Sequence, residues 1–257
     1  MGILNVTPDS FYDGGHYKDK KDILGKVEKM ISEGATFIDI GGYSSRPKST
    51  HISEDEELKR VLPAIEIVLK EFPEALISID TFRSKVAKKG IEGGAAMIND
   101  ISAGNMDENM LTTIASLKVP YIMMHMKGNP QTMSQQTKYQ NLLKEVMFYF
   151  SEKIEKASRL GVVDLVIDPG FGFSKTIEQN YSLLNSLNHF NILELPILVG
   201  VSRKSMIHKP LNISADEALN GTTILNTIAL QKGASILRVH DVKEAMDCIK
   251  LTQQLKF

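Results

Sequence analysis

The sequence predicts a (β/α)8 barrel, also called a TIM barrel, that takes up residues 1–257 as a single domain. One such barrel commonly has about the length of this chain, 257 residues. Short, almost wholly apolar segments recur, which is typical of strands buried on both faces of a parallel sheet. A polar or glycine-containing loop and an amphipathic helical stretch follow each segment. The same repeat also allows an open, doubly wound parallel sheet.

Eight segments are predicted as strands: MGILN (1–5), TFIDI (36–40), LISID (76–80), AMIN (96–99), PYIMMH (120–125), VDLVID (163–168), PILVG (196–200) and SILRV (235–239). Residues 56–72 show the clearest helical pattern, since their apolar side chains form one stripe opposite the charged ones. Ser53 and Glu56 have the spacing of a capping box at its start. Four glycines precede strands, where a helix would end in a left-handed residue: Gly34, Gly93, Gly161 and Gly233.

The composition narrows the class of protein. Apolar residues make up 42% and charged residues 24% of the chain, so a sizeable core is expected. The net charge of -1 argues against nucleic acid as the main partner. The chain has no apolar run long enough for a membrane span, and its start lacks the pattern of a secretory signal. A lone cysteine, Cys248, fits a buried position in a protein of the reducing cytoplasm.

Polar residues stand where the predicted strands end. In a barrel these carboxyl ends, with the loops that follow, form the mouth at which chemistry takes place. The residues at these positions are Asn5, Asp80, Asn99, His125, Asp168, Lys204, Arg238 and His240. The opening loop NVTPDSFYDGGHY follows the first strand, so it is expected at the same mouth.

Two carboxylates are candidates for ligand binding. Asp80 and Asp168 each follow an apolar run, and a buried carboxylate needs hydrogen-bond donors or a cation. A ring with an N–C–NH₂ edge, such as a pterin or a guanine, offers two donors to one carboxylate. Asn99 could bind the remaining heteroatoms, and Ile101, Met124 and Phe173 could form apolar walls or simply fill the barrel. Alternatively, both carboxylates are structural, as helix caps or partners of Lys204.

Basic residues follow the last two strands. Arg238 and His240 are two apart, so they share one face of a strand. With Asn5 they could bind a phosphate or diphosphate together with Mg²⁺, in the region where barrels often bind phosphate. Alternatively, Arg238 pairs with a neighbouring aspartate and His240 caps or packs. Arg203 is expected to be structural and to point away from the site.

No zinc-hydrolase, Rossmann or P-loop pattern is present. The motifs GILNVTPDSF, DIGGYSSRP, SIDTF, INDIS, DPGFGF, SRKS and RVHDV together resemble those of the dihydropteroate synthase family, over essentially the whole chain. The resemblance implies condensation of 6-hydroxymethyl-7,8-dihydropterin diphosphate with 4-aminobenzoate. The products would be 7,8-dihydropteroate, for folate synthesis, and diphosphate. It also implies Mg²⁺, a cytoplasmic homodimer and an enzyme of the kind that sulfonamides target.

The resemblance also implies a role for each motif residue. The pterin would be held by Asp80, Asn99, Ile101, Ile122, Met124, Asp168, Phe173 and Lys204. The diphosphate would be held by Asn5, Arg238 and His240, with Asn5 also on the metal. The aminobenzoate pocket would comprise Phe11, Asp13, Ser45, Arg46, Pro47 and Ser205. The catalytic residues would be Asp168, Asp80 and Lys204, the two carboxylates stabilising a ring cation formed by SN1-like loss of diphosphate.

Two other functions remain open. A corrinoid-linked methyltransferase has a related pterin-binding barrel, but it needs no aminobenzoate pocket, which the SSRP and SRKS loops would build. A non-catalytic pterin-binding protein is the second alternative. The charged positions required for catalysis are all present, which argues against it.

Overall fold

Eight short parallel strands form a closed barrel in the computed structural model, which describes residues 1–6, 17–44 and 51–255. The strands are β1 (Gly2–Asn5), β2 (Phe37–Gly41), β3 (Leu76–Asp80), β4 (Met97–Asp100), β5 (Tyr121–Met124), β6 (Leu165–Asp168), β7 (Leu198–Val199) and β8 (Ile236–Leu237). All eight predicted strands are confirmed. Their bounds shift by one or two residues at an end, and β7 and β8 are shorter than predicted.

Helices alternate with these strands around the outside. Within the described residues they are α1 (Tyr17–Ser32), α2 (Glu54–Glu71), α3 (Ser84–Glu92), α4 (Met110–Leu117), α5 (Leu142–Arg159), α6 (Ile177–Asn185), α7 (Ser205–Leu211), α8 (Leu219–Gln231) and α9 (Val242–Thr252). Short 3-10 helices span Met133–Gln135 and Leu187–Leu193. None of the helices described is both long and apolar enough to cross a membrane.

The strand order shows how the barrel closes. Strands β1 to β6 pair in sequence, and β7 pairs with β8. Parallel bridges between Ile167 and Ile197 and between Gly2 and Val239 join the two sheets. The second junction has two hydrogen bonds, from Ile3 N to Val239 O (3.0 Å) and from Val239 N to Met1 O (2.9 Å). This closure excludes the open, doubly wound sheet.

Apolar side chains fill both the inside of the barrel and the layer beneath the helices. The inner cluster consists of Met97, Ile122, Val166 and Leu198. In α2, the fully buried Val61, Ile65 and Val68 form the predicted stripe. Burying each such side chain contributes about 1.5–3 kcal/mol. Cys248 is also buried, as expected, with Sγ 3.6 Å from Thr223 O.

The predicted capping box is only half formed. Ser53 caps α2, because its Oγ accepts a hydrogen bond from Glu56 N at 3.2 Å. The Glu56 carboxylate accepts instead from Arg60 Nε at 3.0 Å, one turn further along the helix. A complete box stands at the start of α6, where Thr176 and Gln179 bond reciprocally.

For one of the four helices, the predicted position of the left-handed glycine is wrong by one residue. Gly34, Gly161 and Gly233 have positive φ angles of 102°, 84° and 99°. After α3 the left-handed residue is Gly94, with φ of 104°, whereas Gly93 has φ of -79° and is right-handed. The chain therefore continues in helical conformation one residue beyond the predicted end.

Candidate active site

A buried arginine joins two aspartates at the barrel mouth. Arg238 follows β8, and its Nε donates to Asp39 Oδ2 at 2.6 Å while Nη2 donates to Asp80 Oδ2 at 2.7 Å. The Asp39 side chain is fully buried, and those of Asp80 and Arg238 are 17% and 20% exposed. This is the ion pairing that the sequence left open for Arg238, and it uses two strand ends at once.

Asp39 also positions the amide of Asn99. Asn99 Nδ2 donates to Asp39 Oδ2 at 3.0 Å, so a single oxygen serves both β4 and β8. Asp39 was not singled out from the sequence. Its signal, a carboxylate within the apolar segment TFIDI, is the same one that identified Asp80.

The charges of this cluster affect each other. Burial raises the pKa of the Asp80 carboxyl, and the nearby Arg238 charge opposes that rise. Burial acts to lower the pKa of Arg238, but the charges of Asp39 and Asp80 outweigh it and hold that pKa above its ordinary value. The guanidinium is therefore a permanent positive charge at the mouth.

Gly41 separates two oxygen-bearing side chains. Strand β2 lies between β1 and β3, and its Gly41 pairs with Asn5 on one side and Asp80 on the other. A Cβ atom on Gly41 would lie 3.6 Å from Asn5 Oδ1 and 3.7 Å from Asp80 Oδ2. The absence of a side chain thus leaves a space that both oxygens border.

Asp168 and Lys204 form the second charged group of the mouth. Asp168 is 6% exposed, and its Oδ1 accepts from Gly170 N at 2.7 Å. Lys204 Nζ donates to Phe171 O and lies 4.5 Å from the centre of the Phe173 ring. Burial raises the pKa of Asp168 and lowers that of Lys204 to about 8, while the attraction between the two charges opposes both shifts.

The apolar residues predicted around the pterin lie in two places. Ile101 and Met124 belong to one buried cluster, against which Phe173 packs. Ile122 is separate, because it is fully buried in the inner barrel cluster. Ile122 and Met124 are two apart on β5 and therefore share one face of that strand, with Ile122 further from the mouth. Their roles as pterin contacts stay a prediction.

A cavity of about 960 Å³ opens beside this group. Its lining includes Phe173, Lys204, Ser205, His208 and His240. Arg203 also borders it, but its guanidinium is bound to the Asp241 carboxylate at 2.9 and 2.8 Å. Arg203 is therefore paired as a structural residue, as expected, but it borders the cavity and does not point away from the site. Lys204 and the two histidines are further basic groups of the lining.

Five predicted aminobenzoate residues lie outside the described residues: Phe11, Asp13, Ser45, Arg46 and Pro47. The backbone that flanks them is anchored at the mouth. Val6 N donates to Gly41 O at 2.9 Å, and Arg83 Nη2 donates to Ile52 O at 2.6 Å. Of the predicted aminobenzoate residues, the structure describes Ser205, at the start of α7 and at the edge of the cavity.

A parallel barrel with buried carboxylates, an amide and two cations at one mouth defines a class of enzyme that binds a polar heterocycle. Residues 1–240 match the family model described as pterin binding enzyme. The dihydropteroate synthase of Escherichia coli K12 is 44% identical over 255 residues, which cover 98% of this chain and 90% of the relative. The chain belongs to the dihydropteroate synthase family.

Solved structures agree with this assignment. Yersinia pestis dihydropteroate synthase, in a complex with a sulfonamide drug, has a TM-score of 0.92 and 39% identity, covering 99% of this chain and 92% of that one. Xanthomonas albilineans dihydropteroate synthase with 4-aminobenzoic acid has a TM-score of 0.91 and 36% identity, covering 99% and 91%. The single-domain barrel fold is thereby confirmed.

Proposed function

We propose that this chain condenses 6-hydroxymethyl-7,8-dihydropterin diphosphate with 4-aminobenzoate, giving 7,8-dihydropteroate and diphosphate in folate synthesis. The observation that carries the proposal is the pair of charged groups at one mouth. Asp168 with Lys204 suits a pterin, and Arg238 with His240 suits the leaving anion, while Asp39 and Asp80 hold the guanidinium in place. Family membership supports the reaction, and the charged groups at the mouth support the place proposed for each substrate.

The pterin binds between Asp168 and Asn99 in this proposal. The Asp168 carboxylate accepts two hydrogen bonds from the N–C–NH₂ edge of the ring, and Lys204 neutralises its charge. Asn99 is fixed by Asp39, so its amide oxygen is oriented before the ligand arrives. Phe173 and Met124 supply apolar contact.

The diphosphate binds at Arg238 and His240, next to Asn5. A magnesium ion would be held by Asn5, with Asp80 close to it, since both side chains present oxygens beside Gly41 and Mg²⁺ prefers oxygen ligands. No group of three or more His, Cys, Asp or Glu that could hold a metal ion exists in the described part of the chain. The remaining ligands would therefore be water and substrate phosphate. The ion would neutralise the charge of the departing diphosphate.

The 4-aminobenzoate binds in the cavity beside Phe173, with its carboxylate at Ser205. The bond from the pterin methylene carbon to the diphosphate oxygen breaks first, and the electron pair leaves with diphosphate. Asp168, and Asp80 at longer range, stabilise the resulting ring cation, while Arg238 and His240 stabilise the anion. The arylamine nitrogen then bonds to the methylene carbon and releases one proton. The protein needs no nucleophilic side chain.

The functional unit is proposed to be a cytoplasmic homodimer. Neighbouring outer helices expose large apolar side chains: Leu211 of α7 at 56%, Ile224 of α8 at 52% and Leu251 of α9 at 70%. Exposed apolar side chains on neighbouring helices suit a two-fold interface. Sedimentation equilibrium would give twice the chain mass, and Ile224→Lys would shift the equilibrium to the monomer.

Product formation tests the proposed reaction. The purified chain is incubated with both substrates, with and without Mg²⁺, and dihydropteroate is measured by chromatography. We expect product that requires Mg²⁺ and that declines when a sulfonamide competes with 4-aminobenzoate. Tight pterin diphosphate binding without product would favour the non-catalytic alternative.

A further inference from the structure

A lysine outside the proposed machinery is buried among neutral acceptors. Lys175 is 8% exposed, and its Nζ lies 3.0 Å from Gly170 O, 3.1 Å from Phe173 O and 3.0 Å from His125 Nδ1. Burial, together with the positive charges of Lys175 and Lys127, lowers the pKa of His125 to about 2, so its ring is neutral. None of the three partners carries a charge that would offset the burial of an amine.

The two carbonyl partners belong to the loop 169–174, which follows β6. This loop places the Gly170 N–H on Asp168 and the Phe173 ring beside Lys204. Its backbone passes unusually close to the end of β5, since a Cβ atom on Gly170 would lie 2.1 Å from His125 O. The conformation of the loop therefore decides where two pterin-facing groups stand.

We propose that Lys175 is a positioning residue for pterin binding: by holding the carbonyls of Gly170 and Phe173, it fixes the hydrogen bond on Asp168 and the place of the Phe173 ring. The proposal rests on the function proposed above. Lys175 does not itself touch the ligand. It acts mainly on the pterin side of the site, because Gly170 bonds to Asp168, although Phe173 also borders the cavity proposed for aminobenzoate.

The free energy that is lost by burying this amine supports a specific role for Lys175. Burying an amine without a charged hydrogen-bond partner opposes folding, and burial lowers the pKa of Lys175 to about 7. A methionine would fill nearly the same volume without that cost. It would provide no donor, however, and the carbonyls of Gly170 and Phe173 would lose these bonds.

Lys175→Met tests the proposal, with Lys127→Met as the matched control. Lys127 binds Glu145 at 2.8 Å and Lys138 O at 3.0 Å, so its side chain supports the neighbouring loop without holding residues 169–174. Folding at the assay temperature is checked by circular dichroism. Calorimetry then gives the dissociation constant for 6-hydroxymethyl-7,8-dihydropterin diphosphate, and steady-state assays give the Michaelis constant for the aminobenzoate substrate.

We expect Lys175→Met to raise the dissociation constant for pterin diphosphate by about tenfold or more, while the Michaelis constant for aminobenzoate stays within about threefold of the wild-type value. Lys127→Met should leave both within about twofold. A Lys175→Met chain that binds the pterin like the wild type, loses both substrates equally or fails to fold would overturn the proposal, since each result gives Lys175 a general role or none. A wild-type chain that does not bind the pterin would instead contradict the proposed function.

Discussion

Asp39 and Arg238 are 199 residues apart in the chain, yet Arg238 Nε lies 2.6 Å from Asp39 Oδ2. The pair joins β2 to the end of β8, across the point where the barrel closes. The same oxygen accepts from Asn99, so the pterin and diphosphate halves of the proposed site share one support. Variants of Asp39 can therefore test what holds the site together, separately from variants of Asp168, which test the reaction itself.

Replacing Asp39 should weaken the support of both the pterin half and the diphosphate half of the proposed site. Asp39→Ala leaves the buried Arg238 with Asp80 as its remaining carboxylate partner and Asn99 without its acceptor. Because breaking one side of a buried pair costs about 3–5 kcal/mol, we expect a loss of that order in the free energy of unfolding, measured with urea. Asp241→Ala, which breaks the more exposed pair with Arg203, is the control and should cost clearly less. Equal losses would show that Asp39 is no more than an ordinary ion-pair partner.

A side chain at position 41 should raise the Mg²⁺ concentration that the reaction requires. Gly41→Ala places its Cβ at ordinary contact distances of 3.5–3.7 Å from Asp80 and Asn5, so the barrel should still form. The methyl group would occupy the space that the two oxygens border, and we expect the Mg²⁺ concentration for half-maximal activity to rise by about tenfold. In the control Gly25→Ala, the new methyl group has no contact within 4 Å. An unchanged Mg²⁺ requirement in Gly41→Ala would place the ion elsewhere.

Lys175 should make the stability of the chain depend on pH. Its folded-state pKa of about 7 lies below the ordinary lysine value of 10.5, so the unfolded chain binds more protons between these limits. The free energy of unfolding should therefore rise with pH over this window. The attraction of Asp168 and the repulsion of Lys204 and Lys127 also act on the amine, and Lys204 titrates in the same range.

The difference between the wild type and Lys175→Met isolates this contribution. Urea unfolding of both chains at several values between pH 7 and pH 10 should show a steeper rise for the wild type. Lys204 is present in both chains, so its contribution largely cancels. Parallel pH profiles would mean that Lys175 keeps an ordinary pKa in the folded state.

Much of the fold could be predicted from the sequence because strands buried on both faces leave a distinct pattern. The segments around Ile38, Ile79 and Ile167 are nearly continuous apolar runs, and each became a strand. Helix ends were less certain. Gly93 and Gly94 are adjacent, and tertiary packing decided which of them takes the left-handed conformation.

The site was only partly predictable. Asp80 and Asp168 were found because a carboxylate after an apolar run needs a partner, but the sequence cannot show which partner lies opposite. Asp39 gave the same signal within β2 and was not singled out. Its importance depends on Arg238, which only the closed barrel brings to it. Lys175 was missed because a lysine in a loop resembles a surface residue, and its contact with His125, 50 residues away in the chain, is visible only in the fold.

Asp168 has the most demanding role in the proposed reaction, since it both binds the pterin edge and stabilises the ring cation. Asp168→Asn keeps the shape of the side chain but removes the charge that stabilises the cation. Losing one such electrostatic contribution typically lowers turnover by about 10²–10³-fold. Asp216→Asn is the control, because Asp216 borders the cavity beside Phe173 but its carboxylate has no assigned role.

The decisive measurement is the initial rate of dihydropteroate formation by the wild type and Asp168→Asn, with both substrates saturating and Mg²⁺ present. We predict that the wild type releases one diphosphate per dihydropteroate and that Asp168→Asn is slower by about 10²-fold or more, with Asp216→Asn near the wild-type rate. A wild-type chain that forms no dihydropteroate, or an Asp168→Asn chain that forms it at the wild-type rate, would contradict the proposed function and the role of this carboxylate.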